Sequence, residues 1–361
     1  MGEAVTRLGV VGWPVVFTFD DPAAPASVQT QLRHGAVVEV LERREVDGRA
    51  WARVRYGWGL MAWCDESGTA DTGWLDARAC TETTATEVAV RYAGRDDSSQ
   101  EPGSGGAWLR TVALAAHGFA RPARTAGPSV AVWPSESYLW GAELTDVQAA
   151  PGAYGSRWWR VALPSVGGDS PQSGELFVQA GDVMEVGSPV VMDASDALTE
   201  VERVIGRPYV WGGASSFGFD CSGLVQMFAR RRGVALPHSA RRQFTETTSF
   251  AGLGVAGEDL AVEQVGGVVR SDGGRGEVCS ALGLEHAERA RGRWETVLRP
   301  GDAVYFAMGG QRVDHVGLWV GGGEMIHASS SAMPGVRREA LWGSVYAARM
   351  VGARRVGSAA G

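Results

Sequence analysis

Three residues in the C-terminal half, Cys221, His315 and His327, are of the types that together can open an amide bond. A thiol attacks a carbonyl carbon once its proton has a base to go to, and that base works only if a third group holds it in one tautomer. Cys221 follows Asp220, and Leu224, Val225 and Phe228 recur behind it at helical spacing until Gly233. The pattern predicts a helix over residues 221–232 with Asp220 as its N-cap. The first turn of such a helix carries unpaired N–H groups, which favour a thiolate and can receive the oxyanion of a tetrahedral intermediate.

The two histidines fall in one predicted hairpin. Residues 313–320 read as a strand, Gly321-Gly322-Gly323 as the turn, and Glu324 to Ala328 as the return strand. If Val320 pairs with Glu324, His327 lies opposite Gly317 and His315 lies diagonal to it on the same face, about 7–8 Å away. A slip of one residue would send the rings to opposite faces. In this register His315 takes the thiol proton, His327 orients it, and Gly317 leaves room between them. Singly, a cysteine is ordinarily a small buried hydrophobe and a strand histidine an interior or surface group. Their combination points to a Cys-His-X triad.

The segments Tyr209-Val210-Trp211-Gly212-Gly213, Phe219-Asp220-Cys221-Ser222-Gly223-Leu224 and Leu298-Arg299-Pro300-Gly301-Asp302-Ala303-Val304-Tyr305-Phe306 resemble the NlpC/P60 cysteine peptidases. So do His315-Val316-Gly317-Leu318-Trp319-Val320 and Ile326-His327-Ala328-Ser329. The resemblance implies an α+β, papain-like catalytic domain whose cysteine opens a helix packed on an antiparallel sheet. It implies Cys221, His315 and His327 as the triad; no cofactor and no metal are expected. The family cuts murein peptides, most often between D-γ-glutamate and the following diamino acid. In members that require a free N-terminal L-alanine, the positions of Tyr209, Trp211, Asp220 and Ser239 line the pocket, and Ser222 and His238 flank them. His238 departs from the aspartate common at its position, which weakens the implied recognition of an amine. Asp220 reads equally as a helix cap, and Tyr209 and Trp211 equally as core aromatics with a polar tip.

These parts need a scaffold, and 361 residues suffice for two or three domains with proper cores. Hydrophobic residues make up 45% and charged residues 21%, which excludes a mainly disordered chain. A formal net charge of −7 argues against nucleic acid as a partner. Four cysteines without Cys-x-x-Cys spacing suggest neither a zinc site nor a disulfide framework. Before residue 190 a weak repeat appears. Gly35 to Val40, Trp51 to Val54 and Gly73 to Asp76 are echoed by Gly141 to Leu144, Trp159 to Val161 and Gly174 to Val178. The spacing suggests two all-β barrels resembling bacterial SH3-like modules.

The expected organisation is a first barrel over 1–85, a helix or loop segment and second barrel over 86–190, and the catalytic domain over 191–361 with an insertion near 245–293. Ala107 to His117 is expected to be an amphipathic helix, and the barrels are expected to pack on the catalytic domain. The loop Tyr56 to Glu66 is a candidate wall of the cleft, or else folds its aromatics into its own barrel. No stretch reaches the roughly 18 apolar residues of a membrane helix. Leu8 to Phe19 is broken by Pro14 and followed by Asp20-Asp21, so it reads as a strand rather than a secretion signal, and a cytoplasmic protein is expected.

Overall fold

A computed structural model of the chain describes residues 7–24, 26–56, 71–83, 107–122, 129–144, 157–162, 174–186, 191–245, 291–292, 294–310, 312–331 and 333–356. Most of the loop 56–66, most of the insertion 245–293, and the cysteines Cys64 and Cys279 lie outside the described residues. Two compact units are present. One comprises Met1–Trp63, Ala70–Pro189 and Ser215–Phe217; the other comprises Cys64–Thr69, Val190–Ala214 and Gly218–Gly361.

The first unit is all-β. Its first seven strands are β1 (Leu8–Val11), β2 (Val15–Phe19), β3 (Val28–Arg33), β4 (Val37–Val46), β5 (Arg49–Tyr56), β6 (Asp71–Asp76) and β7 (Cys80–Thr83). They form one sheet in the order β3-β2-β6-β5-β4-β1-β7. The apolar run Leu8 to Phe19 is thus two strands, divided before Pro14, whose missing N–H cannot serve a ladder. The next seven are β8 (Ala107–Thr111), β9 (Ala115–Gly118), β10 (Ala131–Pro134), β11 (Tyr138–Glu143), β12 (Trp158–Ala162), β13 (Glu175–Gln179) and β14 (Val183–Glu185).

These seven repeat the first order: β13-β12-β11-β8-β14 is one sheet, β10-β9 a ribbon, and a bridge between Phe119 and Phe177 ties the ribbon to β13. In the first module the corresponding tie is the single pair Phe19–Trp74 between β2 and β6. All three pairs of sequence echoes fall on β4, β5 and β6 and on β11, β12 and β13 or their borders. Among the described residues the sheets are open, with no ring of strands closed on itself. The expected helix at Ala107 to His117 is replaced by β8 and β9. β8 lies between β11 and β14, so two neighbouring ladders outweigh the weak helical preference of its alanines and leucines.

The second unit is α+β. Helix α1 (Ala194–Glu202) begins at Asp193, whose carboxylate accepts from the Asp196 amide at 2.9 Å. Strands β15 (Ala214–Ser215) and β16 (Gly218–Phe219) lead to helix α2 (Cys221–Arg231), and helix α3 (Ala240–Thr245) follows. Strands β17 (Ala303–Phe306), β18 (His315–Gly321), β19 (Glu324–Ser329), β20 (Gly335–Ala340) and β21 (Met350–Arg354) form an antiparallel sheet in the order β20-β19-β18-β17-β21. Both faces are covered, which explains why β17 and β18 are almost wholly apolar. Val304, Phe306, Trp319 and Met325 join a cluster with Trp294, Leu298, Trp342 and Tyr346 on one side. On the other, α2 packs on β18 and β19 and buries Leu224, Val225 and Phe228 completely, worth about 1.5–3 kcal/mol each by transfer.

Candidate active site

Cys221 is the first residue of α2, as its sequence context predicts, and it is buried. Asp220 caps the helix in an extended conformation, its Oδ1 accepting from the Gly223 amide at 2.7 Å and the Ser222 hydroxyl at 3.0 Å. Its Oδ2 accepts from the Gly212 amide at 2.9 Å and meets Nε2 of His238 at 2.8 Å. A carboxylate has about four acceptor positions, and here four protein groups occupy them. Asp220 therefore clasps the Gly212 loop, the helix start and the His238 segment together. The loop lies against the helix so closely that a Cβ on Gly223 would sit 2.0 Å from the Gly213 carbonyl oxygen. Buried Gln243 adds a second tie, donating to the carbonyls of Ser222 at 3.1 Å and Pro237 at 2.9 Å.

The thiol itself behaves differently from the expectation of a stabilised thiolate. Burial, followed by the Asp220 charge, pushes it up to about 12 against the favourable amides of Val316, Ser222 and Cys221. Desolvation of the buried sulfur outweighs the helix end and favours the neutral thiol. The amide of Val316 that touches it belongs to the residue after His315.

The hairpin carries both histidines on one face. Leu318 pairs with Ile326 and Trp319 with Met325, the register predicted from parity, but near the turn Gly321 rather than Val320 faces Glu324. A bulge takes up the extra residue, and Gly321, Gly322 and Gly323 all have positive φ, which their lack of a Cβ allows. The irregularity lies beyond the histidines and leaves their face unchanged. Nε2 of His315 stands 2.8 Å from Nδ1 of His327. Gly317 faces them: a Cβ there would lie 3.0 Å from Met325 Sδ and 3.2 Å from the His327 Cβ.

The rings are further held by aromatics. Tyr346 stacks on His315 at 5.4 Å and meets His327 edge-on at 4.9 Å, and Phe306 lies 5.8 Å from His315. Before β18, the Asp314 carboxylate accepts from the amides of Met308 and Gly309 at 2.7 and 2.6 Å, fixing the approach to His315. Burial pulls His315 down to about 3, with the His327 and Arg337 charges adding to it, and pulls His327 down to about 4 despite a bond to Glu339. Burial thus favours the neutral form of both rings.

Beyond His327 the line continues through a residue that the sequence pattern did not single out. Nε2 of His327 is 3.0 Å from Oε2 of Glu339 on β20, and Nε of Arg337 donates to the same oxygen at 2.9 Å. His327 pairs across the strands with Arg337, so Glu339 is its diagonal neighbour. The alternating charges of Arg337 and Glu339 were the available signal, without a motif to draw attention to them.

The other predicted site residues surround the helix start. Tyr209 is half-buried, bridges to Phe219, and has its phenol raised by burial and then by Cys221 and Asp220. Trp211 is 67% exposed, so it is no core aromatic. Ser222 bonds Asp220 and, at 3.4 Å, the His238 carbonyl, while Ser239 heads α3, its hydroxyl accepting from the Arg242 amide at 3.4 Å. Among the described residues no group of three or more His, Cys, Asp or Glu is arranged to hold a metal ion, and no helix is long and apolar enough to cross a membrane.

Residues 206–355 match the model of the NlpC/P60 family, so this stretch is an NlpC/P60 domain. Over 157 residues the chain is 30% identical to a gamma-D-glutamyl-L-lysine dipeptidyl-peptidase of Bacillus subtilis, an alignment covering 43% of this chain and 38% of that protein. Over 159 residues it is 26% identical to a probable endopeptidase p60 of Listeria monocytogenes, covering 44% of this chain and 23% of the other. The chain thus spans well under half the length of these relatives. In fold it is similar to the crystal structure of an NlpC/P60 family protein from Bacillus cereus, with a TM-score of 0.59 at 18% identity, covering 97% of this chain and 99% of that one.

Proposed function

We propose that the chain is a cysteine peptidase that hydrolyses the D-γ-glutamyl–diamino acid bond of murein peptides, acting on short peptides with a free N-terminal L-alanine during murein recycling in the cytoplasm. The observation that carries this reading is Cys221 at the start of α2, beside a hairpin whose two strands join His315 and His327 at 2.8 Å. The match of residues 206–355 and the name of the Bacillus subtilis relative support the substrate class. The repeated strand order of the first unit supports two SH3-like modules over residues 1–85 and 86–190, ahead of a catalytic domain over 191–361.

In the proposed reaction the Cys221 proton passes to His315 as sulfur attacks the γ-carbonyl carbon of D-glutamate. The oxyanion is received by amides at the start of α2. The C–N bond breaks as His315 returns the proton to the leaving amine, and a thioester remains. Water, deprotonated by His315, then releases the γ-carboxylate and restores the thiol. Tyr209, Trp211, Ser222, His238 and Ser239 are proposed to bind the L-Ala-γ-D-Glu portion. Asp220 joins them only by exchanging one of its four present partners for the substrate amine.

Mass spectrometry of L-Ala-γ-D-Glu-L-diamino acid peptides, free and N-acetylated, beside intact sacculi tests the proposal. Release of the diamino acid moiety from the free peptide alone is the expected result. Cleavage of sacculi or of the acetylated peptide would make the protein a hydrolase of the intact wall, and no cleavage of any would overturn the reading.

A further inference from the structure

We infer that Glu339, anchored by Arg337, is a positioning residue that sets the tautomer of both histidines and leaves Nδ1 of His315 as the bare nitrogen that takes the thiol proton. The catalytic half of this statement rests on the peptidase reading; the tautomer half does not. The argument starts at the outer end of the line. Arg337 is fixed by three acceptors: Glu339, the Met333 carbonyl at 3.0 Å and the Ser331 hydroxyl at 2.8 Å. Although burial opposes it, the hydrogen bonds from Arg337 and His327 hold the Glu339 carboxyl below the ordinary carboxylate range. Glu339 is thus an ionised acceptor with no proton to give.

A neutral imidazole carries one N–H. At 3.0 Å from a carboxylate oxygen, Nε2 of His327 must hold it, because the other tautomer sets a lone pair against a negative charge. Nδ1 of His327 is then bare, and the 2.8 Å contact is a hydrogen bond only if Nε2 of His315 donates. That spends the single N–H of His315 and leaves its Nδ1 as acceptor. Each choice forces the next, so the direction of the chain is decided at Glu339, two strands away from β18. Tyr346, whose ring packs on both imidazoles, has its hydroxyl engaged with Ser329 at 3.3 Å. When His315 gains the Cys221 proton, its Nε2–H still points along the chain and the new charge faces Glu339 through His327.

Two substitutions and two readouts test this. In full-length protein labelled with 15N at histidine, two-bond 1H–15N spectra are expected to show both rings as the Nε2–H tautomer. Glu339→Leu is expected to populate Nδ1–H, to lower kcat about a hundredfold with KM changed less than about twofold, and to slow iodoacetamide alkylation at Cys221, read by peptide mass. Glu339→Gln, which keeps the shape and an acceptor oxygen, is expected to lie between the two. An Nδ1–H tautomer at His327 in the unaltered protein would overturn the inference. So would unchanged tautomers and kcat in folded Glu339→Leu. If no peptide is cleaved but the tautomers and alkylation follow Glu339, the peptidase reading fails and the positioning role stands.

Discussion

β7 and α2 each begin with a buried, unbridged cysteine, and the two are alike in burial and in a raised thiol but differ in what surrounds the sulfur. Cys80 is 5% exposed and its thiol is raised to about 11; Cys221 is 8% exposed and raised to about 12. Desolvation leads in both. Cys80 opens a strand, its amide bonded to the Ala77 carbonyl, with its sulfur pressed where a Cβ on Gly9 would be 2.3 Å away. Its charged surroundings are Arg43 and Glu82, which bond each other. Cys221 opens a helix whose first amides face the sulfur, beside the strand that begins with His315. A displaced thiol is therefore no mark of a nucleophile. The proton's destination is the distinguishing feature.

The largest expected effect breaks or keeps that comparison outright. Cys221→Ala should abolish peptide cleavage in a folded protein, while Cys80→Ala should leave kcat/KM within about twofold, measured by product mass. Equal losses would erase the distinction. His315→Ala should cost about a thousandfold or more in kcat as the base is lost, and His327→Ala less, about 10- to 100-fold, because orientation is partly replaceable.

Stability against pH should show the cysteines behaving alike. Their folded thiols titrate above the unfolded value, so the stability they contribute is complete below about pH 9 and is lost as pH rises toward 11–12. Replacing either with alanine should flatten that alkaline loss in melting temperature. The histidines have the opposite sign. His34, His315 and His327 titrate at about 4, 3 and 4 in the fold, so the unfolded chain binds protons first and stability falls as pH drops below about 6.5. A melting temperature constant from pH 7 to 4.5 would contradict this. The smallest effect expected is that of Gly317→Ala, about 1–3 kcal/mol from crowding Met325 and His327, visible in urea midpoints and as a modest fall in kcat.

Sequence legibility follows the range of the interactions. Asp220, Cys221 and the helix behind them were readable because a cap and its helix are contiguous. The shared face of His315 and His327 was readable because a hairpin of glycines leaves little freedom of register, and the bulge fell where it did no harm to parity. Glu339 was not, because five residues, 330–334, separate β19 from β20 and carry no tight-turn motif that would fix the register in advance. Ala107 to His117 misled because alanine and leucine periodicity carries no record of the two ladders that claim β8. Burial of the Cys221 sulfur is a property of the assembled domain, invisible to a rule about helix ends.

The matching strand order of the two N-terminal modules bears on how the chain reaches its fold. Two segments with one wiring diagram offer each other plausible wrong partners while the chain is still open, and exchanged strands are a characteristic failure of tandem repeats. The ties between strands carry different side chains, Phe19 against Trp74 in one module and Phe119 against Phe177 in the other.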